Sequence, residues 1–195
     1  MKKIFVIDTE TTGLDPNKNS LWQLAGYYRN AQGKLFTLDL KCNPLDWENI
    51  TDEALRVCRT SKEELAKHPP AQQLYMTFRN FLLQEISDGE KITWCGYNSK
   101  FDLAFVESFF KYFDPSDSIY RFFDRGSTVD MLEYMRLLRS IGFINTPTLK
   151  LEEVYKMFGY GTETAHDALE DAKLTYLLYQ WAENTIINGL NHDRK

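Results

Sequence analysis

Five side chains in three separated stretches have the types and spacing for phosphodiester chemistry. Asp8 and Glu10 stand in Asp8-Thr9-Glu10-Thr11-Thr12-Gly13-Leu14, Asp102 follows Tyr97-Asn98-Ser99-Lys100-Phe101, and His166 precedes Asp171 by five residues. Residues i and i+2 of a strand point to the same side, about 6–7 Å apart along the chain. Two carboxylates aimed into one space repel, and burial raises the cost of keeping both charged. A divalent cation removes that cost, and Mg²⁺ takes one or two carboxylates together with water and phosphate oxygens. A plain turn after a strand, with Asp and Thr making local bonds, is the competing reading of the same residues. Gly13 favours the site, because a glycine lets backbone and ligand approach closely.

The other acids also have two readings each. Ser99-Lys100-Phe101-Asp102 has the form of a capping box, and Asn98 is a second candidate cap. Capping is compatible with ligation, since the first helical turn after a strand end is where an α/β crevice opens. Asp171 shares a helical face with Leu174, Leu178 and Trp181, and an acid on a core-facing stripe is costly unless paired. A buried ion pair and a metal answer that cost equally well. Thr164 is a plausible N-cap, which puts His166 at the entry of the last helix, free to swing over the acids. His68 and His192 read as ordinary polar residues.

The elements that must position these groups follow from the hydrophobic pattern. Residues 3–9 form a continuous apolar run ending in polar residues, as expected of a central strand buried on both faces. Residues 22–28 and 34–42 flank the turn Asn30-Ala31-Gln32-Gly33 and read as an antiparallel hairpin. In its second arm Phe36, Leu38 and Leu40 alternate with Thr37, Asp39 and Lys41, so one face is wet. Residues 51–58 and 61–67 read as short helices stopped by Pro69-Pro70. A helix over 71–86, a strand over 92–95, and helices over 101–113, 128–141, 149–157 and 167–187 follow. This order gives an α/β fold, a mixed central sheet flanked by helices in a single domain. The domain spans residues 1–188, with 189–195 a short polar tail.

Composition sets the outer limits. At 195 residues, 43% hydrophobic and 26% charged, the chain suits one well-buried soluble domain and not a disordered one. No apolar run is long enough to span a bilayer, and no signal peptide is read at the N-terminus. Three widely spaced cysteines, Cys42, Cys58 and Cys95, form no Cys-x-x-Cys pair, which fits a reducing cytoplasm. The net charge of −5 is unusual for a nucleic-acid binder, but the four candidate ligands account for most of the excess. A short single-stranded end, held partly through metal, is the expected contact, with modest affinity for long duplex.

With these residues assembled, the chain resembles the DEDDh branch of the DnaQ-like 3′–5′ exonucleases. That group has a ribonuclease H-like fold and includes proofreading subunits, ribonuclease T and oligoribonuclease. The match runs over residues 5–14, 96–105 and 165–172. Asp167, where the tyrosine variant would carry Tyr, supports the histidine branch, and Tyr97 stands where many relatives have histidine. The resemblance implies that Asp8, Glu10, Asp102 and Asp171 hold two Mg²⁺ or Mn²⁺ ions and that His166 takes the proton from the attacking water. It also implies that Thr11, Thr12, Leu14 and Phe101 contact the terminal nucleotide. Core packing explains Leu14 and Phe101 equally well from pattern alone. The expected partner is a nucleic acid 3′ end, mainly single-stranded, in DNA or RNA. A polymerase or a replication or repair assembly is a possible further partner, with a stand-alone enzyme favoured. Two alternatives remain: a haloacid-dehalogenase-like phosphatase with a nucleophilic Asp, and a non-catalytic polymerase-associated nucleic-acid-binding module.

Overall fold

The computed structural model describes residues 1–87, 89–159 and 167–192. Its centre is β1 (Ile4–Thr11), which pairs antiparallel with β2 (Leu21–Arg29) on one edge. The expected hairpin is completed by β3 (Leu35–Lys41), turned at Asn30, whose side-chain oxygen accepts from the Gln32 and Lys34 amides. On its other edge β1 runs parallel to β4 (Thr93–Gly96), and β4 to the two-residue β5 (Val129–Asp130). The sheet order is β3-β2-β1-β4-β5.

Helices cover both faces, which is why β1 reads as unbroken apolar sequence. Side chains alternate along a strand. Phe5 and Ile7 enter a core with α3 (Ala71–Glu85) and α4 (Ser99–Phe113), where Phe78, Val106 and Phe110 are fully buried. Ile4 and Val6 enter the opposite core, with Met135 of α5 (Met131–Ser140), Val154 of α6 (Leu151–Met157), and Leu174 and Leu178 of α7 (Ala168–His192). The short helices α1 (Asp52–Val57) and α2 (Lys62–Leu65) bridge the hairpin to α3. Gly26 allows β2 to lie flat on its neighbour, since a Cβ there would stand 2.2 Å from the Val6 carbonyl oxygen. No described helix is long and apolar enough to cross a membrane.

Three local expectations change. The reading of 128–141 as one helix merges β5 with α5, because two strand residues are too few to show a period. The capping box at Ser99 does not form: Ser99 lies inside α4, and its hydroxyl donates to the Val129 carbonyl. Asp130 takes the capping role from 31 residues away. Its carboxylate accepts from the Asn98 and Ser99 amides at the start of α4 and from the Leu132 amide of α5. Finally, α7 runs past residue 188 to His192, so helix continues where the sequence suggests a tail.

Candidate active site

β4 pairs with β1 only as far as Val6, so the last residues of β1 extend beyond it. Asp8 and Glu10 continue the face that Ile4 and Val6 begin, beneath the start of α7. Ala168 and Ala172 are fully buried there, and their small side chains bring the helix close to the sheet. Asp171 descends from α7 into the same space. Carboxylate oxygens of Asp8, Glu10 and Asp171 all lie within 4.8 Å of one another. Just after Glu10 the pairing of β1 with β2 shifts by one residue, a bulge of the kind that re-aims side chains beside functional sites.

Asp102 arrives from the other layer. Beyond Gly96 the chain turns through Asn98 in the left-handed region (φ 66°) and starts α4 in the gap that β4 leaves open. Thr9, on the α4 face of β1, fixes Asp102: its amide and hydroxyl both donate to Asp102 Oδ1, at 3.0 and 2.7 Å. Asp102 thus stands near the end of the same strand, close enough for its charge to act on Asp8, but outside the group of Asp8, Glu10 and Asp171 that lies within 4.8 Å.

Their electrostatics are unfavourable without a cation. The Asp8 carboxyl is held well above the usual range by burial, then by the charges of Asp102, Asp171, Glu10 and Asp167. Burial pushes Asp102 up to about 7, against the Thr9 hydrogen bonds that pull it down. Such a cluster of hard oxygen donors fits a divalent cation such as Mg²⁺ or Mn²⁺, whose charge cancels the mutual repulsion.

Two contacts to the acids were not legible in the sequence. The Tyr155 hydroxyl of α6 lies 2.8 Å from the Glu170 carbonyl oxygen and 3.0 Å from Asp171 Oδ1, with one proton to donate between them. The Cys58 thiol, at the end of α1, donates to Glu10 Oε2 at 2.9 Å. Its own ionisation is suppressed by burial and then by the Glu10 charge.

A cavity of about 460 Å³ opens beside Glu10, lined by Thr11, Gly13, Leu14, Val57, Cys58 and Phe101 among others. Leu14 is 83% exposed, so core packing does not explain it. Phe101 is half-buried against Phe105, ring centroids 4.8 Å apart. Thr12 differs from the other three: it is buried, its hydroxyl accepts from the Ser20 amide, and it does not line the cavity. The space beside Gly13 is taken by Asn19, whose carboxamide would stand 2.4 Å from an added Cβ. His166 and Thr164 lie outside the described residues. The cap of α7 is Asp167, whose Oδ1 accepts from the Leu169 amide at 3.0 Å and the Glu170 amide at 3.4 Å.

The sequence matches a family profile described as exonuclease, of the RNase T type, over residues 5–179. The chain belongs to this exonuclease family. No curated protein sequence matches it. Among solved structures, Escherichia coli exonuclease I in complex with a dT13 oligonucleotide superposes with a TM-score of 0.78 at 18% identity, covering 98% of this chain and 43% of that one. The zinc-bound exonuclease I complex with single-stranded DNA from the same organism gives 0.77 at 18% identity, covering 95% and 41%. Cell-death related nuclease 4 gives 0.70 at 14% identity, covering 95% and 64%. The chain thus spans about two fifths of the exonuclease I chains it matches. The ribonuclease H-like fold expected from the sequence is the fold these exonucleases share with it. Family membership also removes the haloacid-dehalogenase-like alternative.

Proposed function

We propose that this family member is a divalent-cation-dependent 3′–5′ exonuclease of the DEDDh type. It would remove nucleoside 5′-monophosphates from 3′ ends of single-stranded nucleic acid, DNA or RNA. The observation that carries the reading is the convergence of Asp8, Glu10 and Asp171 within 4.8 Å, beside a cavity lined by residues of the same motif. The oligonucleotide and zinc complexes of the E. coli neighbours support it.

In this reading Asp8, Glu10, Asp102 and Asp171 hold two Mg²⁺ or Mn²⁺ ions. When bound, such ions lower the pKa of a water and stabilise charge on the leaving oxygen. Thr9 keeps Asp102 oriented, and Tyr155 does the same for Asp171. Leu14 and Phe101 bracket the cavity where the terminal base would pack, with Thr11 in its wall. Thr12 instead ties the loop after β1 to Ser20. His166, two residues before α7, accepts the proton of the attacking water as a neutral imidazole near or above its ordinary pKa of about 6.5.

A 5′-labelled oligonucleotide with a free 3′ end tests this directly. Shortening from the 3′ end should stop in EDTA, return with Mg²⁺ or Mn²⁺, and fail for Asp8→Ala. An Asp8→Ala protein that retains the wild-type rate would falsify the assignment.

A further inference from the structure

We propose that Cys58 is a positioning residue for Glu10, its thiol holding one carboxylate oxygen where a divalent cation would need it; the inference rests on the exonuclease function proposed above. The three cysteines differ in their surroundings. Cys42 and Cys95 are fully buried, one in each apolar core. Cys58 is half-buried and stands in the wall of the cavity beside the acids, where its S–H donates to Glu10 Oε2 at 2.9 Å.

Two of the other acids meet a hydroxyl in the same way, Asp102 that of Thr9 and Asp171 that of Tyr155. Glu10 has more need of such a donor. Its side chain has one more rotatable bond than aspartate, and so more freedom to lose on being held. The strand beneath it is also irregular, because the pairing of β1 with β2 shifts between Glu10 and Thr11. A hydrogen bond to a ligand from outside the coordination sphere fixes its orientation and raises affinity for the ion.

Cys58 can serve only if its own place is fixed, and α1 fixes it. Before the first turn of this six-residue helix, the Thr51 amide donates to the Thr12 carbonyl oxygen at 2.9 Å and the Thr51 hydroxyl to the same oxygen at 3.3 Å. At the other end the Cys58 amide donates to the Ala54 carbonyl at 2.9 Å. The Trp22 side chain hydrogen-bonds to the sulfur and packs beside it with Ile50, Leu55 and Leu65. The His68 ring stacks on that indole, with centroids 5.9 Å apart and planes within 3°. Helix α1 is thus moored to the segment after β1 at Thr51 and to Glu10 at Cys58, while Ala54 and Val57 between them line the cavity. Contacts run unbroken from Trp22 through the sulfur to a carboxylate of the acidic group.

Calorimetric titration with Mn²⁺ in the absence of nucleic acid tests this apart from turnover. Cys58→Ala should bind Mn²⁺ about tenfold more weakly than the wild type, or worse. Cys58→Val fills the space of the thiol without a donor and should lose as much, whereas Cys58→Ser keeps a donor and should recover most of the affinity. With a 5′-labelled oligonucleotide, the half-saturating Mg²⁺ concentration of Cys58→Ala should rise in proportion, while the rate at saturating Mg²⁺ falls much less. Wild-type Mn²⁺ affinity in Cys58→Ala or Cys58→Val, or a loss in Cys58→Ser as large as in Cys58→Ala, overturns the proposal. The two readings separate cleanly: weakened Mn²⁺ binding in Cys58→Ala, with no shortening of the oligonucleotide by the wild type, upholds the positioning and removes the nuclease. Absence of Mn²⁺ binding to the wild type removes both.

Discussion

Replacing Asp102 by Asn measures what it costs the fold to keep this buried carboxylate charged when no cation is present. Burial raises the Asp102 carboxyl from its ordinary 3.8 to about 7. The folded protein therefore holds this proton more tightly than the unfolded chain does. Stability is greatest below the unfolded pKa, declines as pH rises between the two values, and is lowest above about pH 7. A rise of about three pH units corresponds to about 4 kcal/mol, of which roughly two thirds falls between pH 5 and 8. Asn has no proton to lose, and its Oδ1 can still accept from the Thr9 amide and hydroxyl. The cost of its unpartnered NH₂ is the same at every pH. In EDTA the stability of Asp102→Asn relative to wild type should therefore improve by about 3 kcal/mol from pH 5 to pH 8. For a domain of this size that is a relative gain in Tm of roughly 5–10 °C. Adding Mg²⁺ at pH 8 should raise the wild-type Tm more than that of the variant. Scanning calorimetry at the two pH values decides it: a Tm difference between variant and wild type that is the same at pH 5 and pH 8 refutes the reasoning.

Asp130→Ala removes bonds to the Asn98, Ser99 and Leu132 amides, and with them the caps of two helices. At about 1 kcal/mol per cap it should lose about 2–3 kcal/mol in urea unfolding, and hydrolysis should fall because α4 carries Asp102. Tyr155→Phe keeps the ring and deletes the hydroxyl facing Asp171, so stability should drop by about 1–2 kcal/mol. A Mg²⁺ titration should show the half-maximal concentration rising more than the maximal rate falls. His166→Ala should cut turnover about 10²–10⁴-fold while calorimetric Mn²⁺ binding stays near wild type; loss of binding instead would make the histidine a ligand.

Much of this arrangement was readable because its signals are local. The β1 run, the Asn30–Gly33 turn and the paired Asp8 and Glu10 each declare themselves within ten residues. Asp171 was conspicuous for the same reason, an acid among Leu174 and Leu178 on one helical face. What escaped depends on partners far apart in the chain. The Ser99 capping box was a sound local inference that lost to Asp130, a distant carboxylate better placed to reach the same amides. β5 was hidden because only its pairing with β4 makes Val129 and Asp130 a strand. Tyr155 and Cys58 carry no pattern of their own, and only packing brings them against Asp171 and Glu10. Leu14 could not be separated from a core leucine until its side chain proved to stand in solvent.

The way β1 sits between two helical layers has a consequence for which changes the protein can tolerate. Strand side chains alternate, so a slip of one residue against β2 would exchange Asp8 and Glu10 for Thr9 and Thr11 on the α7 side. The acids would then face α3 and α4, across the sheet from Asp171. A single-residue deletion between Ile4 and Glu10 would also carry Phe5 and Ile7 toward the opposite core, so it should cost folding as well as catalysis, whereas lengthening the exposed turn after α5 should cost neither.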